Sequence, residues 1–174
     1  MSAHHSIPAR PAVAKYLRRK LELAEGQAYR LTKKSQIGRL LYHLFRNPQD
    51  DKQYTIAPET HSARFSLSIS HKLSWSHSCR YLTNQGIHDF NRQVEDMIEE
   101  DFLATVKVLS AYGVRFETKQ VALDFMKLYD FTEEDITLDA LIKAYYRFRK
   151  AQNVGQNRMK KVPNCPALQL QAAA

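Results

Sequence analysis

The sequence predicts a mainly helical α+β fold, a single domain of about five helices. One amphipathic β-hairpin, residues 64–81, is expected to pack on a long central helix over about 84–112. Two observations point there. Residues 64–81 alternate between Phe65, Leu67, Ile69, His71, Leu73, Trp75, His77, Cys79 and Tyr81 on one side and serines with Arg64, Lys72 and Arg80 on the other. A strand sends successive side chains to opposite faces, so this segment carries one apolar face and one hydroxylic, cationic face. Residues 87–109 instead place Ile87, Phe90, Val94, Met97, Ile98, Phe102, Val106 and Leu109 at steps of three and four, the period of a helix stripe. A chain of 174 residues, 44% hydrophobic and 25% charged, has the composition of an ordinary globular protein and can bury a substantial core.

Residues 1–10 are expected to be a flexible arm, 11–152 the globular domain, and 153–174 a basic flexible tail ending in three alanines. Within the domain, residues 11–47 form a basic helical pair. Pro11 suits a first helical position, and Val13, Tyr16, Leu17, Leu21 and Leu23 follow at near-helical spacing up to Gly26. The second helix starts with Ser35 as N-cap and runs to Arg46, burying Ile37, Leu40, Leu41, Leu44 and Phe45. Asn47-Pro48 ends it. Residues 48–63 read as loop, with Tyr54–Ile56 as a short strand.

The alternation is long for one strand. A hairpin with the three-residue loop Ser70-His71-Lys72 would set Ile69 opposite Leu73 and keep both on the apolar face. That loop lacks the Gly or Asn that favours such turns, and one long bent strand is the alternative. The helical core occupies 84–152. Thr83 or Asn84 caps the long helix, and Gly113 is placed to close it. Thr118 starts a helix burying Val121, Phe125, Leu128 and Tyr129, and Thr137 starts the last, burying Leu138, Leu141, Ile142, Tyr145 and Phe148.

The net charge is +8, and its distribution matters more than its size. Residues 1–50 carry +7 and residues 151–174 carry +3, around a middle of −2 and then 0. Positive ends suggest an anionic partner, with nucleic acid first. On the helix from Ser35, Gln36, Arg39, His43 and Arg46 lie off the apolar stripe and are preceded by Lys33 and Lys34. Arg and Gln at helical spacing can read purine edges in a major groove, while lysines meet phosphate. The preceding helix adds Lys15, Arg18, Arg19 and Lys20. Two helices followed by a hairpin resemble winged-helix architecture, which implies backbone contacts from Arg64, Lys72 and Arg80. This chain departs from it in two ways: about ten residues separate the helices, not three or four, and a third helix before the hairpin is missing.

Other chemistry finds little support. Glu95 and Glu99 share a helix face, but nothing completes a metal site, and Glu95, Asp96, Glu99, Glu100 and Asp101 read as a solvated face or an acidic dock for a basic segment. His61, His71, His77 and Cys79 show none of the usual zinc spacings. His88-Asp89 resembles the dipeptide of HD-type phosphohydrolases, but about 0.4 such pairs are expected by chance at this composition. There is no G-x-S-x-G elbow and no glycine-rich phosphate loop, so no enzyme, cofactor or metal is expected. In AYYRFRK, Tyr146, Arg147, Arg149 and Lys150 form a second basic patch, of a kind the helix dipole alone favours in a final turn.

No apolar run approaches a membrane span, and Cys79 with Cys165 makes no disulfide framework, so a cytoplasmic protein with no membrane partner is expected. The leading expectation is a small nucleic-acid-binding accessory or regulatory protein. It would favour duplex DNA, contact mainly phosphate, and read bases through the helix at 35–46. The alternative is an assembly module, a homodimer or a dock for a protein partner, using the hairpin face and the long helix.

Overall fold

The computed structural model describes residues 2–46, 61–76 and 83–159. The alternation of residues 63–70 does build a strand, and that strand is the centre of the sheet. Strand β3 (Ala63–Ser70) pairs antiparallel with β1 (Ser2–Ala9), from Ser2 opposite Ser70 to Ala9 opposite Ala63. On its other edge β3 pairs in parallel with the two-residue β2 (Tyr29–Arg30), setting Tyr29 beside Leu67 and Arg30 beside Ser68. Side-chain parity then sorts the three strands. Ile7, Ala9, Tyr29, Phe65, Leu67 and Ile69 are buried on one face, while His4, Ser6, Arg30, Arg64 and Ser66 are exposed on the other.

The expected hairpin over 64–81 does not form. After Ser70 the chain turns into a short helix, α3 (His71–Ser76), where Ser70 Oγ accepts the Leu73 N–H at 3.4 Å. The partner of β3 is the segment expected to be a flexible arm. Alternation specifies a face but no partner. Ala3, His5, Ile7 and Ala9 supply a second face of matching parity over eight residues, whereas residues 70–72 lack turn chemistry. Without a hairpin the winged-helix likeness lapses. The expectations for Tyr54–Ile56 and for 77–81 lie outside the described residues.

The helices follow their local signals closely. Helix α1 (Pro11–Lys20) has Pro at its first position, buries Val13, Tyr16 and Leu17, and stops at Leu21 rather than reaching Gly26. Helix α2 (Gln36–Arg46) is capped by Ser35, whose Oγ accepts the Gly38 N–H at 2.9 Å and shares a hydrogen bond with the Tyr29 hydroxyl at 2.6 Å. Helix α4 (Asn84–Ala111) is capped by Thr83 Oγ1 on the Gly86 N–H, and Gly113 closes it in the left-handed region at φ +67. Its stripe of Phe90, Val94, Ile98, Phe102 and Val106 is the axis of the core.

Helix α5 (Thr118–Leu128) returns along α4, with Phe125 edge-on to Phe102 at 5.4 Å. Met126 is buried there, and Leu128, expected inside, is 53% exposed. Helix α6 (Leu138–Met159) starts at Thr137, whose hydroxyl accepts the Ala140 N–H. It buries Leu141 and Ala144 and continues seven residues into the segment expected to be tail. A mainly helical α+β architecture around one core is thus observed, with six helices and a three-stranded sheet among the described residues.

One buried polar residue joins the two layers. Asn91 of α4 accepts the Arg10 N–H at 2.9 Å and donates to the Pro8 carbonyl at 3.1 Å and the Ile87 carbonyl at 2.8 Å. It pins the junction between β1 and α1 onto the long helix.

Candidate nucleic-acid interface

The ten cations of the first fifty residues do not act as one surface. Three of them are neutralised by acids from elsewhere in the fold: Arg10 by Glu95, Lys15 by Asp135 at 2.7 Å, and Lys20 by Asp101. The Asp135 side chain is only 4% exposed, and its carboxylate also accepts the Thr132 N–H at 2.8 Å and the Thr132 hydroxyl at 2.9 Å. Burial alone would raise its pKa, but the Lys15 ammonium and the two Thr132 donors outweigh that and hold the carboxyl below its ordinary value. Asp101 also accepts the hydroxyl of fully buried Tyr16 at 2.8 Å. Burial first, and then that carboxylate, push the Tyr16 phenol far up. The acidic run of α4 is therefore in part a dock for this chain's own N-terminal segment.

Arg18 and Arg19 remain exposed at the end of α1, where they line a groove with Lys127 and Leu128 of α5. Lys15, already paired with Asp135, also lines this groove, and the remaining cations predicted to bind nucleic acid do not.

A second group gathers where β2 passes into α2. Arg30, Lys33, Lys34, Gln36, Arg39 and His43 are all exposed. Lys33 Nζ lies 4.0 Å from the Tyr42 ring centre, and an Arg39 Nη donates to the Lys34 carbonyl at 3.2 Å. Lys33 and Lys34 follow Arg30 by three and four residues, so they lie within about 14 Å of it along the chain. Arg30 stands beside Ser68, and Arg64 sits four residues away along β3, about 14 Å from Arg30 on the same outer face. Lys72 is exposed just beyond, in α3. The side chain of Arg46, and Arg80 altogether, lie outside the described residues. Arg30 is the member that sequence reasoning missed, because a two-residue strand leaves no periodicity to detect.

The predicted reading face of α2 has an unexpected neighbour. Gln36, Arg39, Leu40 and His43 form one wall of a cleft of about 470 Å³, whose other wall is Gln93, Asp96, Met97 and Glu100 of α4. The i, i+3, i+7 ladder of one helix thus faces the same ladder of the other, cationic and amide groups against acids. A duplex pressed onto this face would bring phosphate against Asp96 and Glu100.

Among the described residues, the centres of the two apolar faces expected to serve assembly are covered inside the chain, while Val108, Tyr112 and Leu128 are exposed. Phe65, Leu67 and Ile69 on the sheet and Phe90, Val94 and Phe102 on α4 are each at most 2% exposed. Among the described residues there is no group of three or more metal-ligating side chains, and no helix is long and apolar enough to cross a membrane. Comparison with family models, with curated proteins and with solved structures finds no match.

Proposed function

We propose that the protein is a small nucleic-acid-binding accessory protein whose contacts are mainly to phosphate, and that it works in the cytoplasm. The observation that carries this reading is the β2–β3 register. It sets Arg30 on the same solvent face as Arg64, next to the exposed Lys33, Lys34 and Arg39. Lys72, two residues past the end of β3, is exposed as well. Such a strip neutralises phosphates and releases their counterions, which makes affinity fall steeply with salt.

The outer sheet face argues for backbone contact rather than base stacking. Its described residues are serines, His4, Pro8 and arginines, with no Phe, Tyr or Trp platform. Gln36, Arg39 and His43 act at the rim of the strip, because the acids across their cleft keep phosphate from settling over α2.

The test is fluorescence anisotropy with labelled duplex and single-stranded DNA at 50, 100 and 200 mM salt. The wild type is expected to bind with a log–log salt slope of several units. Replacing Arg30, Lys33, Lys34 and Arg39 by alanine is expected to lower that slope by about one for each phosphate no longer neutralised. Unchanged affinity and slope in this variant would remove the strip as the binding surface.

A further inference from the structure

Among the described residues, the turn of α6 after Phe148 is unlike any other helical segment. Arg149, Lys150, Ala151 and Gln152 are four consecutive helical residues, and all four are exposed. At 3.6 residues per turn, a helix lying on a core hides about one residue in every four. Phe148, with Lys107 Nζ 4.6 Å from its ring centre, is the last residue packed on the body among the described residues. The next turn, Arg149 to Gln152, stands clear of the body, and the helix continues to Met159, eleven residues or about 16 Å past Phe148.

The charge of this extension is one-sided. Asp139 is the last acidic residue of the chain, and Arg147, Arg149 and Lys150 follow it. The helix dipole does not account for these cations, since its effect is confined to the final turn and α6 runs two to three turns past them. Arg147 is held loosely, 3.5 Å from Glu99 with its side chain 71% exposed. A helical protein partner would need an apolar stripe. The apolar residues of 149–159 are Ala151, Val154 and Met159, which are too few and too small to make one, and no Leu, Ile or aromatic residue joins them.

We infer that the projecting part of α6 is a nucleic-acid-contacting arm that lies in the major groove of duplex DNA. Arg149, Lys150 and Gln152 are its described contact residues, and Tyr146 and Arg147 stand at its base. The inference rests on the reading above only for the identity of the polyanion. A helix about 10–12 Å across fits a major groove about 12 Å wide, and entry requires that it be free on all sides. Arg149, Lys150, Ala151 and Gln152, a full turn of α6, meet that condition, whereas α2 is flanked by Asp96 and Glu100. Arginine, lysine and glutamine are the side chains that meet phosphates and purine edges there. The packed first half of α6 nucleates the helix, so the arm itself does not bear the nucleation cost.

The experiment compares five full-length proteins on a labelled 20-base-pair duplex and on a single strand across the same salt series: wild type, Arg149→Ala/Lys150→Ala, Ala151→Glu/Gln152→Glu, Lys143→Ala, and the alanine variant of the β2–α2 strip. All substituted positions are exposed, and circular dichroism checks the fold. The arm variant is expected to lose about tenfold or more in duplex affinity, with its salt slope lower by about two. Ala151→Glu/Gln152→Glu, which sets two acids on the arm away from any packing, is expected to weaken duplex binding at least as much. Lys143→Ala removes a cation already paired with Asp139 at 2.6 Å and is expected to change little.

Wild-type affinity and slope in both arm variants, with weaker binding in the strip variant, would overturn the arm and leave the strip reading intact. Weaker binding in the arm variants alone would support the arm and remove the strip. Equal weakening on duplex and single strand would overturn groove insertion, and a wild type that binds neither DNA at 50 mM salt would overturn both proposals.

Discussion

Asn91→Leu is the most informative stability experiment. Asn91 sits in α4 between Phe90 and Val94, only 2% exposed, where an apolar residue of similar volume would fit the surroundings. Leucine is also the better helix former, by about half a kcal/mol. Packing and propensity alone therefore predict a neutral or stabilising change. The hydrogen bonds predict the opposite. The substitution takes the side-chain partner from the Arg10 N–H and from the Pro8 carbonyl, both at the half-buried junction of β1 and α1. Each group left unsatisfied costs about 1–3 kcal/mol, so a net loss of about 2–4 kcal/mol is expected. For a domain of this size that corresponds to a fall in Tm of roughly 10 °C.

Urea unfolding followed by circular dichroism measures the loss directly. Arg10→Ala is the control. It keeps the backbone N–H and removes only the ion pair with Glu95, whose side chains are 40% and 34% exposed, so its cost should stay below about 1 kcal/mol. If Asn91→Leu cost less than the control, the claim that Asn91 anchors the first strand to the long helix would be refuted.

Two further outcomes follow from the same geometry. Gly38→Ala would set a Cβ 1.8 Å from the Thr32 carbonyl oxygen and 2.8 Å from the Tyr29 hydroxyl, so a loss of about 2 kcal/mol or more is expected despite alanine's better helix propensity. A gain in thermal stability would show that α2 does not approach the β2 connection so closely. The depressed carboxyl of Asp135 contributes stability that is present above the unfolded carboxylate value of about 3.9 and lost as pH falls through the lower folded value. Wild type should therefore lose stability below about pH 4, while Asp135→Asn is less stable at neutral pH and shows a shallower acid slope in urea unfolding. Parallel pH profiles for the two proteins would contradict that assignment.

Much of the helical architecture was legible because its signals are local. Ser35, Thr83 and Thr137 each cap the helix they precede, through a hydroxyl and an N–H three residues on. Gly113 and the α4 stripe are equally local, and the stripe is buried as its period required. The first strand was not legible. In SAHHSIPA the apolar alternation is diluted by His5 and interrupted by Pro8, and nothing nearby says that its partner lies about sixty residues away. The two residues of β2 are too few to show any period.

The candidate site divides along the same line. By itself the sequence determined the number of cations, their concentration at the two ends of the chain, and the absence of acids after Asp139, since these are properties of composition and order. Only the tertiary structure decided which cations remain available. It paired Arg10, Lys15 and Lys20 with distant carboxylates, brought Arg30 onto the face of Arg64, and set Asp96 and Glu100 across from Arg39. It also decided that the turn of α6 after Phe148, Arg149 to Gln152, is exposed on every side. The physical reason is range: caps and stripes act within a turn or two of one segment. The charge and exposure of a side chain instead depend on groups that only chain folding brings within a few ångströms.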